Sequence, residues 1–231
     1  MAICYDEWKV LKHRPIERVS PNLWRVEGVM ESGTKRIMSL VRLEDGRVLM
    51  HNPVALGAAE MAEIEAWGEV AGIVVPNAFH RMDSKIMQAR YPKARVYCPG
   101  NATKAVNKAT PVHGSLADAP GDATVRVRHL EGIKENEGVI EVQTPAGLVV
   151  VFNDMLLNVP KAGFPMELFI GPSGTPAIPR FARWFFVKDK AALRADLEGL
   201  LARDPRRLVP GHGADVTEDT GERMRAAIAL L

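Results

Sequence analysis

The chain opens with segments in which apolar and polar residues alternate, the pattern of half-buried β-strands. Leu23–Gly28 and Arg36–Leu43 alternate in this way, and Asp45-Gly46 is a strong turn signal. The residues after the turn, Arg47–His51, are again predominantly apolar. We therefore predict an antiparallel meander that ends in a hairpin.

The pattern changes between residues 54 and 98, where helical and strand-like segments alternate. A short, uniformly apolar run in this region is typical of a strand that is buried on both faces. The predicted elements are, in order, helix Ala55–Trp67 with Gly68 as its stop, strand Gly72–Pro76, a helix that begins at Asp83 or Ser84 and runs through Arg90, and strand Arg95–Cys98. This alternation favours parallel strands.

The second half repeats the same sequence of patterns. Its predicted elements are strands Thr124–Leu130, Gly138–Thr144 and Leu148–Phe152, helix Lys188–Arg203, strand Arg207–Pro210, the turn Gly211-His212-Gly213 and a helix from about Glu218. Residues 160–179 are rich in proline and glycine and show no periodicity, and a loop of that length is uncommon unless it covers a site. We predict a mixed α/β fold of two sheets with helices outside both, a single domain over 1–231, and a lid or insertion at 160–187.

Composition narrows the function classes. Lys plus Arg number 30 and Asp plus Glu 28, a net charge of +2, which argues against nucleic acid as the main partner. A hydrophobic fraction of 47% is enough for a sizeable core, and Cys4 and Cys98 alone cannot form a disulfide framework. The first residues show no signal-peptide core, and no apolar stretch is long enough for a membrane span, so we expect a cytoplasmic protein without a membrane partner.

Three polar residues follow predicted strands directly or after a short loop. They are His80, Asp154 and His212, the last between two glycines. Ligands of α/β proteins bind beyond the strand ends, and two imidazoles with one carboxylate suit zinc, iron or manganese. Taken singly, a loop histidine is more often a surface residue, and an aspartate after a strand more often a turn residue. The Gly-His-Gly turn is the stronger signal, because a plain turn needs no imidazole there.

The ordered set of motifs resembles the metallo-β-lactamase fold superfamily, and within it a divergent branch classed as the DUF4336-type domain of unknown function. The resemblance rests on Arg47–Leu56, Val74–His80, Val149–Leu157 and Leu208–Gly213. It extends from about residue 20 to the C-terminus, nearly the whole chain. It implies a four-layer αββα sandwich with a metal site at one edge and, in most members, hydrolysis of esters, amides, thioesters or phosphodiesters.

The resemblance implies that His80, Asp154 and His212 are metal ligands. This chain departs from the superfamily at Asn77, which stands where the first histidine of its main motif is expected. A second histidine is expected at residues 132–134, where there is no imidazole, and His129 lies within the preceding predicted strand. Both departures argue against a two-metal site. We therefore expect one divalent ion, zinc first and iron or manganese as alternatives, or no ion if the site is degenerate.

Five further residues are candidates for supporting roles. His51 ends a strand and either orients a ligand or contacts substrate, or is a core-edge histidine bonded to backbone. Asn77 is a candidate for contacts around the site, and Asp83 either replaces the missing carboxylate or caps the next helix, the reading we favour. Arg180 and Arg183, beside the 160–187 segment, could pair with a substrate carboxylate or phosphate, and that segment could instead pack or form a homodimer.

Three functions remain open at the level of sequence. The leading hypothesis is a mononuclear metal-dependent hydrolase of a small-molecule ester, amide or phosphoester, in which Asp154 both binds the ion and orients water. The alternative is a metal-free binding domain on the same scaffold. A third hypothesis is redox or oxygen chemistry, because two histidines and a carboxylate also suit non-haem iron.

Overall fold

The computed structural model describes residues 4–231, and the chain divides along its length into two compact units, Met1–Val127 and Arg128–Leu231. Each unit has a β-sheet and its own cluster of buried apolar side chains. That residues 1–231 form a single domain stays a prediction.

The first unit holds a six-stranded sheet. Its strands, in order both along the chain and across the sheet, are β1 (Glu17–Ser20), β2 (Leu23–Val29), β3 (Lys35–Arg42), β4 (Arg47–His51), β5 (Glu69–Val74) and β6 (Arg95–Tyr97). Strands β1 to β4 pair antiparallel, as the meander predicted, whereas β4, β5 and β6 pair parallel, as the alternation of helix and strand predicted. The α-helices of the unit are α1 (Ala58–Trp67), α2 (Ser84–Arg90) and α3 (Thr103–Val106).

The alternating pattern places one face of β2 in the core. Trp24 and Val26 are buried in the apolar cluster, while Arg25 and Glu27 are partly exposed. In β3 the prediction of a half-buried strand was wrong, because residues 36–41 are buried on both faces. Trp67, at the end of α1, stacks on Trp24 with the ring centroids 4.0 Å apart. Helix α1 begins three residues later than predicted, because residues 54–56 are buried in non-helical chain and Gly57 is the N-cap.

Parallel pairing brings two strand ends to one edge of this sheet. His51, the last residue of β4, lies in register with Val74, the last residue of β5. The Asn52 N–H also donates to the Val74 carbonyl, at 3.0 Å. The chain segments that follow β4 and β5 therefore begin side by side, which is the position that the sequence analysis assigned to His51, Asn77 and His80.

The second unit is built on a four-stranded sheet. The strands of this part of the chain, six in all, are β7 (Val125–His129), in which the division between the units falls, β8 (Gly138–Thr144), β9 (Gly147–Val151), β10 (Leu157–Asn158), β11 (Arg207–Val209) and β12 (His212–Gly213). The order across the sheet is β11-β9-β8-β7, and β10 and β12 form a separate parallel pair. Strands β9 and β11 are parallel neighbours, so the residues after them lie at one edge.

Helices complete the second unit: α4 (Met166–Ile170), α5 (Arg180–Phe185), α6 (Lys190–Ala202) and α7 (Thr220–Ile228). Helix α6 is amphipathic, with Leu193, Leu197 and Leu200 buried at helical spacing, and the Asp189 carboxylate caps it by accepting from two backbone N–H groups. None of the helices formed by residues 4–231 has the length and apolarity needed to cross a membrane.

The segment predicted as an unstructured loop at 160–179 contains a helix, α4, and α5 follows it directly. Five- and six-residue helices are too short to produce a recognisable period, so pattern analysis missed both. The Arg180 side chain ties them together by donating to the Glu167 carbonyl at 2.8 Å. Six large apolar side chains of these helices and their flanks are exposed, and we call them the apolar patch: Phe164, Met166, Leu168, Phe169, Trp184 and Phe185.

Candidate functional site

Asp154 lies in the turn that follows β9, and a buried carboxylate holds that turn. The Glu137 side chain, which is fully buried, accepts hydrogen bonds from three consecutive backbone N–H groups, those of Asn153 at 3.2 Å, Asp154 at 2.9 Å and Met155 at 2.7 Å. Three charge-assisted bonds to one short stretch of backbone fix its direction. Glu137 thus sets the position from which the Asp154 side chain leaves the chain.

His212 follows β11, and the glycines on either side of it are required by close backbone contacts. The Gly211 N–H donates to the Asn153 carbonyl at 3.1 Å, and a Cβ on Gly211 would lie 2.8 Å from the Asn153 Cα. Gly213 has φ +97°, and a Cβ there would lie 2.0 Å from the Asn158 carbonyl oxygen. The two glycines let the His212 turn pack directly on the Asp154 turn.

These two turns bring the predicted ligands of the second unit into contact. His212 Nε2 lies 3.3 Å from Asp154 Oδ1, and the two side chains are only 15% and 9% exposed. An imidazole nitrogen and a carboxylate oxygen at this separation are suitable ligands for one divalent ion. Both residues follow parallel neighbouring strands, and their side chains meet; that they bind a metal ion stays a prediction.

His80 is buried in the first unit, in a turn that Asn77 shapes. The Asn77 Oδ1 accepts from the backbone N–H of Phe79 at 2.9 Å and of His80 at 3.2 Å. The His80 ring in turn lies against Asn52, with its Nδ1 3.1 Å from Asn52 Oδ1. Asn77 therefore has a local role in holding the His80 turn, whatever else it contacts.

Asp83 has a different role from the helix cap that we favoured. It occupies the N-cap position of α2, yet its side chain makes no capping hydrogen bond. Its Oδ2 is paired with the Arg36 guanidinium and its Oδ1 accepts from the Ala55 N–H at 3.1 Å, all in the buried interior. The cap prediction was wrong because a buried cation competes for the carboxylate more strongly than a helix N–H does.

His51 is buried at the end of β4, in register with Ser39 on one side and Val74 on the other. This is the strand-end position expected for it. A role toward a ligand and a core-edge role both stay predictions for His51.

Arg180 and Arg183 are partly buried, and their side chains form hydrogen bonds that join parts of the second unit. In addition to the Arg180 bond to α4, the Arg183 guanidinium donates to the carbonyls of Leu230 at 2.9 Å and of Gly171 at 3.4 Å. Burial, and to a smaller extent the charge of Arg180, lower the pKa of Arg183. These contacts hold the 160–187 segment, and a role of the two arginines in substrate binding stays a prediction.

Two buried residues that the sequence analysis did not select, Asn52 and Glu137, contact the candidate ligands or their turns. Asn52 directly follows a predicted strand and a histidine, which is a signal that could have been used. Glu137 gave no such signal, because its partners are backbone groups 16 to 18 residues away along the chain.

Comparison with known proteins places the fold. No protein-family model matches the chain, and no curated protein does. Among solved structures, the chain is similar to the DIM-1 metallo-β-lactamase exposed to ceftazidime, at 14% identity and TM-score 0.61 over 97% of this chain and 99% of that one. The chain has the metallo-β-lactamase fold. The predicted mixed α/β fold class is confirmed.

Two further structures give the same result. A metallo-β-lactamase from Erythrobacter litoralis matches at 12% identity and TM-score 0.62, over 94% of this chain and 96% of that one. The mono-zinc form of the metallo-β-lactamase FIM-1 from Pseudomonas aeruginosa matches at 11% identity and TM-score 0.58, with the same coverage. Likeness at this level of identity concerns the fold alone, and the reaction has to be argued from the site.

Proposed function

We propose that this protein is a metal-dependent hydrolase that holds one divalent ion with His80, Asp154 and His212 and cleaves a small-molecule ester, amide or phosphoester. The observation that carries the proposal is the contact between His212 Nε2 and Asp154 Oδ1, at 3.3 Å, beyond two parallel strands of a metallo-β-lactamase fold. Metallo-β-lactamase structures are the similar structures reported above, and one of them is in a mono-zinc form.

The chemistry of the donor set fits such an ion. Two imidazoles and one carboxylate are a common ligand set of catalytic zinc, with a further position left for water or substrate. His80 is the third donor in this proposal: it is buried, it follows β5 by a short turn, and Asn77 fixes that turn. Zinc is our first choice, and iron and manganese accept the same ligands.

Asp154 and Glu137 each have a defined role in the proposed reaction. When bound, a divalent ion in such a site activates water and polarises the bond to be cleaved. Asp154 has two carboxylate oxygens, one to bind the ion and the other to accept a hydrogen bond from the attacking water. Glu137 prevents the Asp154 turn from rotating, since three of its N–H groups are held by one carboxylate.

The 160–187 segment is proposed as the lid of this site. It leaves the fold after β10, where Leu157 pairs with His212, and returns at Ala177, which pairs with Leu157 from the other side. The root of the segment is thus one strand pair away from a proposed ligand. A lid in this position would exclude water and offer apolar contacts to the substrate.

The alternative, a metal-free binding domain on this scaffold, is favoured by two contacts. Asn77, at the position where a histidine is expected, bonds to its own turn, and Asp83, the spare carboxylate, is engaged by Arg36 and Ala55. Side chains engaged in this way favour a site with few metal ligands, and such a site binds metal more weakly.

Elemental analysis of protein purified without chelator tests the proposal. We expect about one zinc, iron or manganese per chain, lost in both His80→Ala and His212→Ala and retained in the control His13→Ala, whose ring bonds only locally to the neighbouring carbonyl. An ion retained in His212→Ala would overturn the ligand assignment. Absence of metal from the native protein after reconstitution would overturn the proposal in favour of the metal-free domain.

The same proposal includes the finer assignments of family and compartment. The motifs that resemble the DUF4336-type branch include both proposed histidine ligands, which supports membership of that branch. Cys4 and Cys98 carry free thiols, which is consistent with a reducing, cytoplasmic setting.

A further inference from the structure

Asn52 is a fully buried residue in an unusual backbone conformation. It follows β4 directly and has φ +51°, in the left-handed region that few residues other than glycine and asparagine adopt readily. Its backbone N–H is bound to the Val74 carbonyl at the end of β5. This hydrogen bond fixes the position from which the Asn52 side chain leaves the backbone.

Two hydrogen bonds determine how this amide is oriented. The Nδ2 group donates to the Ile37 carbonyl at 2.9 Å, and the other end of the amide, Oδ1, faces His80 Nδ1 at 3.1 Å. A backbone carbonyl can only accept, so the nitrogen of the amide must be the atom that faces Ile37. The atom that faces the imidazole is consequently an oxygen, which is an acceptor.

An acceptor that faces Nδ1 favours the tautomer in which this nitrogen carries the proton. We infer that Asn52 is a positioning residue that holds the proton of His80 on Nδ1, so that Nε2 presents its lone pair to a ligand. His80 is itself buried, and the Asn52 oxygen lies within hydrogen-bond distance of Nδ1. Metal-binding histidines generally need such a partner on the other ring nitrogen.

This inference rests on the proposed function for the identity of the ligand, a divalent ion, but the position of the proton can be measured without any ion. It also names a residue that acts through His80 and has no part in the reaction itself. The expected signature is therefore a tautomer of the metal-free protein, together with an effect on metal affinity.

Two substitutions separate the role of the oxygen from a role in folding. Asn52→Gly removes the amide and suits the left-handed backbone, because glycine adopts positive φ without strain. Asn52→Asp keeps an oxygen acceptor toward His80 Nδ1 and is also tolerated at positive φ, but like Asn52→Gly it loses the donor to the Ile37 carbonyl. The aspartate variant therefore restores the acceptor alone, so a difference between the two variants reports on the oxygen that faces His80.

The test is the 15N spectrum of histidine-labelled, metal-free protein at a pH at which the rings are neutral, with the His80 signals identified by their loss in His80→Ala. We expect the proton on Nδ1 in the native protein and in Asn52→Asp, and a shift of the proton toward Nε2 in Asn52→Gly. A native ring protonated on Nε2, or a glycine variant with the native tautomer, would overturn the inference.

Zinc titration against a competing chelator gives the second readout. Loss of the acceptor in Asn52→Gly should weaken zinc binding about 10- to 100-fold, with affinity retained in Asn52→Asp. If no protein binds zinc while His80 keeps its Nδ1 proton, the proposed function has failed and the positioning role stands. If zinc binds equally to all three proteins and the tautomer does not change, the positioning role has failed and the proposed function stands.

Discussion

Buried polar side chains carry the chemistry of this molecule at the scale of single residues. Asn52, Asp83 and Glu137 are all almost completely buried, and each side chain makes at least two hydrogen bonds. Burial of polar groups costs free energy unless they are bonded, so these hydrogen bonds offset the cost of burying all three side chains. Two of the three bond to the ring of a proposed ligand or to the turn that carries one.

Glu137→Gln tests whether the carboxylate of this residue, and not its shape alone, holds the Asp154 turn. Glutamine has nearly the same shape, but its NH2 group would face one of the three backbone N–H groups that now donate to the carboxylate. Two donors would then face each other, and a buried N–H would lose its acceptor. We expect a loss of about 2–3 kcal/mol in the free energy of unfolding, measured by urea denaturation. Zinc affinity should fall as well, because the Asp154 turn is no longer fixed.

The matched control for that substitution is Glu135→Gln, two residues earlier and exposed. It should change the stability by no more than about 0.5 kcal/mol. Equal effects of the two substitutions would contradict the clamp that we assign to Glu137.

Charged side chains join whole elements in the second unit. The Glu141 carboxylate on β8 is paired with Arg128 of β7 and with Arg203, which follows α6, and Arg128 also pairs with Asp196 on α6. Burial pushes the pKa of Glu141 up, but the hydrogen bonds and charges of the two arginines outweigh it, and the pKa lies below the ordinary value of 4.5. The carboxylate therefore stabilises the folded unit in its ionised form.

The direction of this shift predicts a pH dependence. A lowered pKa in the folded state means that the stabilisation is complete above the ordinary value, and is lost as the pH falls through the lower folded value. Glu141→Gln should cost about 3 kcal/mol near neutral pH. The gap between the native and variant unfolding free energies should close below a pH of 4.5.

Urea denaturation at several pH values measures this gap. Glu198→Gln on the exposed side of α6 is the control, and it should show neither the loss nor the pH dependence. A gap that stays constant into the acid range would mean that the arginine pairs do not lower the pKa of Glu141.

The elements differ in how far they could be predicted from sequence. Strand β4 and helix α2 match their predicted ranges. The Asp45-Gly46 turn signal marks the start of β4, and the polar pair Asp83-Ser84 marks the start of α2. Helices α4 and α5 and the β10–β12 pair were not predicted. Each of them is short, and each depends on contacts across the fold, such as the pairing of Leu157 with His212, that leave no period in the sequence.

At the scale of the whole molecule, the proposed ion makes the free energy of unfolding depend on the concentration of metal. The proposed ligands are His80, Asp154 and His212. An ion bound only by the folded chain raises its unfolding free energy, by about 2.7 kcal/mol at a free concentration about 100 times the Kd. Zinc should therefore raise the Tm of the native protein, and chelator should reverse the rise.

Differential scanning calorimetry on native protein and His212→Ala checks this prediction. The variant should show no zinc-dependent change in Tm. A rise of equal size in the variant would mean that zinc binds elsewhere on the chain.

The fold could be predicted from the sequence more completely than the site. The order of meanders and α/β segments, with the motif around His212, was enough for the fold class, because both follow from local pattern and from glycines that the backbone requires. The partners of the ligands could not be predicted. Asn52 and Glu137 act through hydrogen bonds to distant residues, and the position of Asp83 before a helix suggested a cap that a buried arginine overrides.

The apolar patch on α4, α5 and their flanks also affects how strongly molecules of this protein associate in solution. Six large, exposed apolar side chains lie between residues 164 and 185. A net charge of +2 provides little electrostatic repulsion between molecules. Sulfate salts screen that repulsion and strengthen apolar association at the same time. The solubility of this protein should therefore be governed by one short stretch of chain, and concentrated sulfate should drive its molecules together there first.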